Sequence, residues 1–349
     1  MLRNRAIKPG LISPTRNAAR TPAGPTRFAL AAVGLLALGG CPQPADNNGD
    51  TGGGNGIGGT TTRSLSVNGA ARSYMLHTPT GFTTGSSRTV VILFHGSGFS
   101  GDAFLSDAKW ADKADAANFI AVAPDALPGN PDEPANLLTN PRLWQATQFS
   151  LGGATTNPDV LFFDALLAEL PGVLGFSFDQ VFIAGHSGGG SMCFVLASER
   201  GNRVLKMAAV ASHWIGIGPA PTPPTPTLFI VGSEDPLAPL TGGSGLTPSI
   251  DFTLDRWALA LGCDAAPVTV SDAGGVRTDE YAGCNSDVIF RAIFLSGQGH
   301  TWPGARFALP SAAFGPNTNL LDATDTIWDF FAGAGTTTGG MPAAIRDEP

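Results

Sequence analysis

Val181-Phe182-Ile183-Ala184-Gly185-His186-Ser187-Gly188-Gly189-Gly190 is the stretch that decides the fold. A β-branched and aromatic run ends in a glycine-flanked serine, and Met192, Cys193, Val195 and Leu196 continue with an apolar helical pattern. This is Gly-x-Ser-x-Gly between a strand and a helix, the context in which the motif carries chemistry. Such a serine must hold a strained backbone so that its oxygen projects above the sheet. Glycines two residues before and after it leave room for strand and helix to approach closely.

Outward from this turn, the chain reads as strands alternating with helices. Ser64–Val67, Asn68-Gly69 and Ala71–His77 form a hairpin with a favoured turn. Thr89–Phe94 is continuously apolar, as a strand buried on both faces must be. A helix over 103–118 and a strand over 119–123 follow, then a polar, proline-rich loop from Pro124 to about Pro158. That loop is too long to be a mere connection. Beyond it come a helix over 160–170 and, after the serine motif, strands over 205–210 and 227–231. A helix over 249–261, two short strands around Val268 and Tyr281, a last strand over 288–295 and a closing helix over 320–330 complete the pattern. The alternation predicts an α/β fold: a doubly wound, mostly parallel sheet with helices on both faces and an antiparallel start.

The chain has 349 residues, enough for one large α/β domain or two small ones. Only 14% of them are charged and 46 are glycine, which suits a secreted or envelope protein with long loops. Six basic residues (Arg3, Arg5, Lys8, Arg16, Arg20 and Arg27) precede the first acidic one, Asp46, and without them 14 basic residues face 28 acidic ones. A surface this acidic repels phosphate backbones, so no nucleic-acid partner is expected. The basic leader runs into the apolar stretch Phe28–Leu38, too short to span a bilayer but suited to a signal-peptide core. Leu38-Gly39-Gly40-Cys41 is similar to a bacterial lipobox, which makes residues 1–41 a lipoprotein signal and Cys41 the lipidated residue. Acyl chains there would hold the protein at a membrane without a spanning helix. The organisation expected is then a glycine-rich tether over 42–62, a catalytic domain over 63–332 and a low-complexity tail over 333–349.

A serine hydroxyl needs a base, and the base an orienting carboxylate. Of five histidines, His77 lies within a strand, His95 opens the loop after a central strand and His186 neighbours the serine with its side chain pointing away. If His213 were the base, the acid between it and Ser187 would be Glu199, placed on the helix after the serine. His300 remains, in Gly297-Gln-Gly-His-Thr-Trp-Pro-Gly304 directly after the last strand. The acid should follow a strand between serine and base, and Val231-Gly-Ser-Glu234-Asp235-Pro236 does so; Asp235 is the candidate, and its neighbour Glu234 is either solvated or the acid itself. Backbone donors for the oxyanion are expected at Gly188 and in Phe94-His95-Gly96-Ser97-Gly98, at Ser97 or Gly98. Trp144 and Trp302 are candidates for a substrate wall, as is Trp214. Metal-ligand spacings, phosphate loops and dinucleotide fingerprints are absent from the sequence, so no cofactor is expected, nor is an obligate protein partner indicated.

Together, Phe94-His-Gly-Ser97, Gly185-His-Ser-Gly-Gly189, Gly232-Ser-Glu-Asp-Pro236 and His300-Thr-Trp-Pro-Gly304 resemble the α/β-hydrolase esterases related to polyhydroxybutyrate depolymerases and to feruloyl and acetylxylan esterases. The resemblance covers roughly residues 63–330 and implies a secreted serine esterase, its triad Ser187, Asp235 and His300, acting on an ester that can be polymeric. The proline-rich inserts, such as Pro219–Pro226 and the loop around Trp144, depart from the family and leave the acyl group open. If Cys41 is lipidated, Cys263 and Cys284 flank the two short strands and would pair in an oxidising envelope, a pairing the resemblance also implies. Cys193 is then a buried free thiol; if Cys41 is not lipidated, three pairings are open. Two rival readings share this sequence: a non-catalytic lipoprotein that binds polymer or carbohydrate, and a serine peptidase.

Overall fold

The computed structural model of the chain describes residues 58–82, 89–146, 156–214, 218–242 and 248–333. The leader, Cys41 and most of the tether and tail lie outside the described residues. The first strand, β1 (Gly59–Val67), pairs antiparallel with β2 (Ala70–Thr78) across Asn68 and Gly69, both with positive φ as a tight hairpin turn requires. β1 thus starts four residues before Arg63, inside the stretch read as tether. The β-branched Thr60, Thr61 and Thr62 pair in register with His77, Leu76 and Met75, and the Thr60 hydroxyl lies 2.8 Å from His77 Nδ1.

Six parallel strands form the centre of a ten-stranded sheet. In chain order the elements after the hairpin are β3 (Thr89–Phe94), α1 (Gly101–Asp107), α2 (Trp110–Ala117), β4 (Ile120–Pro124), α3 (Pro158–Leu174), β5 (Gln180–His186) and α4 (Gly188–Arg200). Then come β6 (Lys206–Val210), β7 (Thr227–Gly232), α5 (Ile250–Leu261), β8 (Val268–Ala273), β9 (Val276–Tyr281), β10 (Phe290–Leu295), α6 (Ser311–Phe314) and α7 (Ala323–Ala332). Spatial order is β1-β2-β4-β3-β5-β6-β7-β10-β9-β8, with β1, β2, β8 and β9 antiparallel to their neighbours. Strand alternation splits the core in two. Val90, Ile92 and Phe94 face α3, α4 and α5, whereas Val91 and Leu93 face α1, α2 and α7. The helix expected over 103–118 is two helices, because Lys109 takes a left-handed φ of 61° and turns Trp110 fully into the core. Tertiary contacts fix that break: the Thr324 hydroxyl donates to Ala108 O, and Lys109 Nζ pairs with Asp322 at 2.9 Å. The last helix begins at Ala323, where the Asp322 carboxylate accepts from the Thr324 and Asp325 N–H groups.

The starting hairpin is bolted to α3 by a buried ion pair. Arg72 Nη2 lies 2.7 Å from Asp159 Oδ1, with both side chains almost wholly enclosed. The same nitrogen donates to Asp125 O at 3.1 Å, the guanidinium lies over Phe162, and Asp159 Oδ2 accepts from Gln145 N–H at 2.7 Å. Removing one partner strands a buried charge at a cost of about 3–5 kcal/mol, although the intact pair adds little over an apolar one. Asp159→Ala should therefore lower the unfolding free energy by about that much in urea titration, and adding Arg72→Met should restore more than half of the loss. Equal stability of Asp159→Ala and the parent would show that the pair is not buried in solution.

Candidate active site

Ser187 sits on the turn between β5 and α4 with φ 52° and ψ −122°, a region that costs a non-glycine residue about 1–3 kcal/mol. Its N–H donates to Val210 O on β6 at 2.9 Å. The approach of strand and helix explains the flanking glycines: a Cβ on Gly189 would stand 2.0 Å from Phe94 O, and one on Gly185 would stand 2.4 Å from Gly189. Ser187 itself is half-buried.

The loop after β10 brings His300 over the serine. His300 Nε2 lies 2.9 Å from Ser187 Oγ, and Nδ1 lies 2.7 Å from Asp235 Oδ2. Asp235 follows β7, and its other oxygen accepts from the Leu237 and Ala238 N–H groups at 2.9 and 2.8 Å. Both His300 and Asp235 are 4% exposed. The carboxylate orients Nδ1–H, which leaves the Nε2 lone pair facing the hydroxyl. Three residues distant in sequence thus join in one hydrogen-bonded line, and Glu234 stays outside it.

The loop after β3 lies beside them. Ser97 is exposed and lies beside Gly188: a Cβ on Gly188 would stand 2.5 Å from the Ser97 hydroxyl oxygen and 3.6 Å from Ser97 N. The Gly98 N–H is already donated to Arg142 O at 2.8 Å. Of the two candidates for the second donor, Ser97 is the one with its N–H uncommitted among the described contacts. The long loop after β4 supports this turn. The Trp144 indole N–H donates to His95 O at 2.9 Å, so Trp144 is packed against Phe94 and His95 in the core. Trp214 is likewise core, against Phe194 and Trp257. His95 Nε2 accepts from the Ala126 N–H at 3.1 Å and Nδ1 meets Gly96 O at 2.8 Å; complete burial drives its imidazole down to about 4.

Trp302 lines a cavity of about 60 Å³ at the end of β5, with Phe99, Phe104, Asp107, His186 and Phe307. Its indole N–H donates to the Thr324 hydroxyl. His186 makes no hydrogen bond to Ser187 Oγ among the described contacts; its Nε2 donates to His300 O at 2.8 Å. Sequence reading missed this contact and that of Gln298, whose side-chain amide holds the carbonyls on either side of His300. His213 Nε2 meets Leu237 O, next to Asp235. Cys263 and Cys284 are disulfide-bonded, tying the end of α5 to the end of β9, and Cys193 is a buried free thiol. Among the described residues no cluster of three or more His, Cys, Asp or Glu could hold a metal ion, and no helix is long and apolar enough to cross a membrane.

No protein-family profile matches the chain. It is 30% identical over 304 residues to NocK of Nocardia uniformis subsp. tsuyamanensis, a protein named as an esterase, covering 78% of this chain and 83% of that one. It is also 30% identical over 187 residues to feruloyl esterase C of Emericella nidulans, but these cover only 52% of this chain and 61% of the relative. Among solved structures, the acetyl xylan esterase of Aspergillus awamori superposes with a TM-score of 0.53 at 14% identity, covering 78% of this chain and all of that one. That likeness shows the shared fold. By its sheet order, its serine turn and its similarity to NocK over 83% of that protein, the chain belongs to the α/β-hydrolase esterases and is a serine hydrolase of carboxylic ester bonds.

Proposed function

We propose that Ser187, His300 and Asp235 are the catalytic triad of a secreted or lipid-anchored carboxylesterase. The observation that supports this best is the unbroken line from Ser187 Oγ through His300 to Asp235, at 2.9 and 2.7 Å. Ser187 attacks the ester carbonyl while His300 Nε2 takes its proton, then delivers it to the leaving alcohol. Asp235, fixed by two N–H groups, holds the imidazole in the tautomer this transfer needs. The Gly188 N–H at the start of α4 and the Ser97 N–H hold the developing oxyanion, a contribution of about 3–4 kcal/mol for each donor. Water, activated by the same histidine, then releases the acyl group. The names of the relatives support an acyl group of the feruloyl or acetyl kind, and the sequence motifs equally support a hydroxyalkanoate. An exported location is supported by the apolar leader, the lipobox at Cys41 and the Cys263–Cys284 bond.

Ser187→Ala should lower turnover of a short-chain aryl ester by at least about 10³-fold, and Asp235→Asn by about 10⁴-fold through loss of the tautomer. A fluorophosphonate probe should label the parent and not Ser187→Ala. Full turnover by Ser187→Ala would sink the triad, and faster cleavage of a matched amide than of the ester would favour a peptidase.

Two buried imidazoles beside this machinery set an acid limit on the fold. Burial holds His95 down to about 4 and His186 down to about 3, the latter helped by the nearby His300 ring. Both ring sites are pre-committed: protonating His95 at Nε2 would turn it against the Ala126 N–H. The unfolded chain therefore binds protons first. Stability is full above the ordinary histidine value of about 6.5 and falls as pH drops toward the folded values, by about 1.4 kcal/mol per pH unit for each ring. Urea unfolding at pH 5 should give a clearly lower free energy than at pH 7.5. A flat profile between these pH values would contradict the buried neutral pair.

A further inference from the structure

We propose that His186 and Gln298 are positioning residues that clamp the loop carrying His300, so that the imidazole stays in line with both the serine and the carboxylate. The inference rests on the triad reading above. His300 stands between Gly297, whose φ is 71°, and Gly299 on one side and the Thr301-Trp302 turn on the other, a stretch with little intrinsic rigidity. Its backbone is nevertheless tied on both sides of His300 and at His300 itself. The Gly299 and His300 N–H groups donate to Pro316 O and Phe314 O, each at 2.6 Å. The three carbonyls of 299, 300 and 301 receive Gln298 Nε2 at 3.3 Å, His186 Nε2 at 2.8 Å and Gln298 Nε2 at 3.0 Å.

The chemistry of these contacts fixes their sense. Gln298 Oε1 accepts from the Thr318 N–H at 2.8 Å and from its hydroxyl at 2.9 Å; a backbone N–H can only donate, so the amide cannot be flipped. The NH₂ end, which also reaches Asn317 Oδ1 at 3.1 Å, therefore faces the loop carbonyls. Gln298 is fully buried, and its own carbonyl accepts from the Glu234 N–H at 3.0 Å, one residue before Asp235. A single residue thus links the segment of the acid to that of the base. His186 supplies the link to the nucleophile. It precedes Ser187, is 7% exposed, and its Nε2 must carry the proton because it meets a carbonyl. The ring also packs against His300 and Trp302, at 5.1 and 6.2 Å between centroids. Neither side chain contacts Ser187 Oγ or the His300 ring nitrogens by hydrogen bond, so their effect acts through the backbone. Displacing a base by about 1 Å is enough to cost roughly 100-fold in rate.

The experiment compares His186→Phe, His186→Gln and Gln298→Met with the parent and Ser187→Ala, on a soluble aryl ester, with the folded fraction of each read from near-ultraviolet circular dichroism. His186→Phe keeps the aromatic packing and removes the donor, whereas His186→Gln keeps a donor of similar reach. Per folded molecule, His186→Phe and Gln298→Met should lose about 10- to 100-fold in kcat with KM changed less than about twofold, and fluorophosphonate labelling should slow in step. His186→Gln should recover to within about threefold of the parent, a rescue that mere packing would not give. If Gln298→Met does not fold, the two His186 variants decide. Parent-like kcat in folded His186→Phe, a loss confined to KM, or failure of His186→Gln to exceed His186→Phe would overturn the clamp. Turnover retained by Ser187→Ala would instead overturn the triad on which it rests.

Discussion

The site depends on one backbone constraint: Ser187 is held at φ 52° with its hydroxyl above the end of β5. An isolated chain would relax such a residue, so the surrounding structure must over-determine it. It does so from three sides. The Ser187 N–H is captured by Val210 O on β6, Gly189 lies against Phe94 O at the end of β3, and α4 begins directly behind the serine. β5 is central, between β3 and β6, and buried on both faces. The strain is therefore carried at the centre of the sheet, where a side chain at Gly185 would collide with the start of α4 and one at Gly189 with the end of β3.

The convergence of the other two groups follows from strand order. Parallel strands all end at one edge, where ligand sites of open α/β sheets form. β7 and β10 are neighbours in parallel register, with Gly232 opposite Leu295, so the segments leaving them emerge side by side. Asp235 and His300 are a few residues past those ends, and cross-links between the loops keep them together: Gly297 N–H to the Ser233 hydroxyl, and Glu234 N–H to Gln298 O. The serine, at the end of β5, is two strands from β7 and three from β10, so the loop of His300 must lean over the sheet edge. That reach is where hydrogen bonding from His186 and Gln298 matters most.

Much of this was legible in the sequence, and what was not has a common cause. The apolar runs 90–94 and 181–184 declare β3 and β5 because strands buried on both faces are apolar along most of their length. Ser187, Asp235 and His300 could be chosen because each follows such a strand, and their chemistry has few alternatives. The break at Lys109 was hidden, since nothing local in a good helical pattern reveals a bond from Thr324 to Ala108 O. The start of β1 was hidden because threonines after a glycine run acquire strand character only through His77, Leu76 and Met75. Trp144 reads as a ligand wall until its indole is seen to serve the His95 carbonyl, 49 residues earlier. Gln298 and His186 were passed over for the same reason: their partners are backbone groups, and the bond from His186 spans 114 residues.

The loop after β4 shows how such hidden contacts bear on chemistry. By composition it is a proline-rich excursion, the part of the chain where a substrate-specific insert would be sought. Its best-defined contacts, however, run inward. Arg142 O takes the Gly98 N–H, the Ala126 N–H donates to the His95 ring, and Trp144 anchors His95 O. These three bonds set the course of the turn after β3. With Gly98 committed, the N–H beside Gly188 that stays uncommitted among the described contacts is that of Ser97. A segment that reads as decoration therefore decides which amide of this turn stays uncommitted, and that amide is the second oxyanion donor in the proposed mechanism.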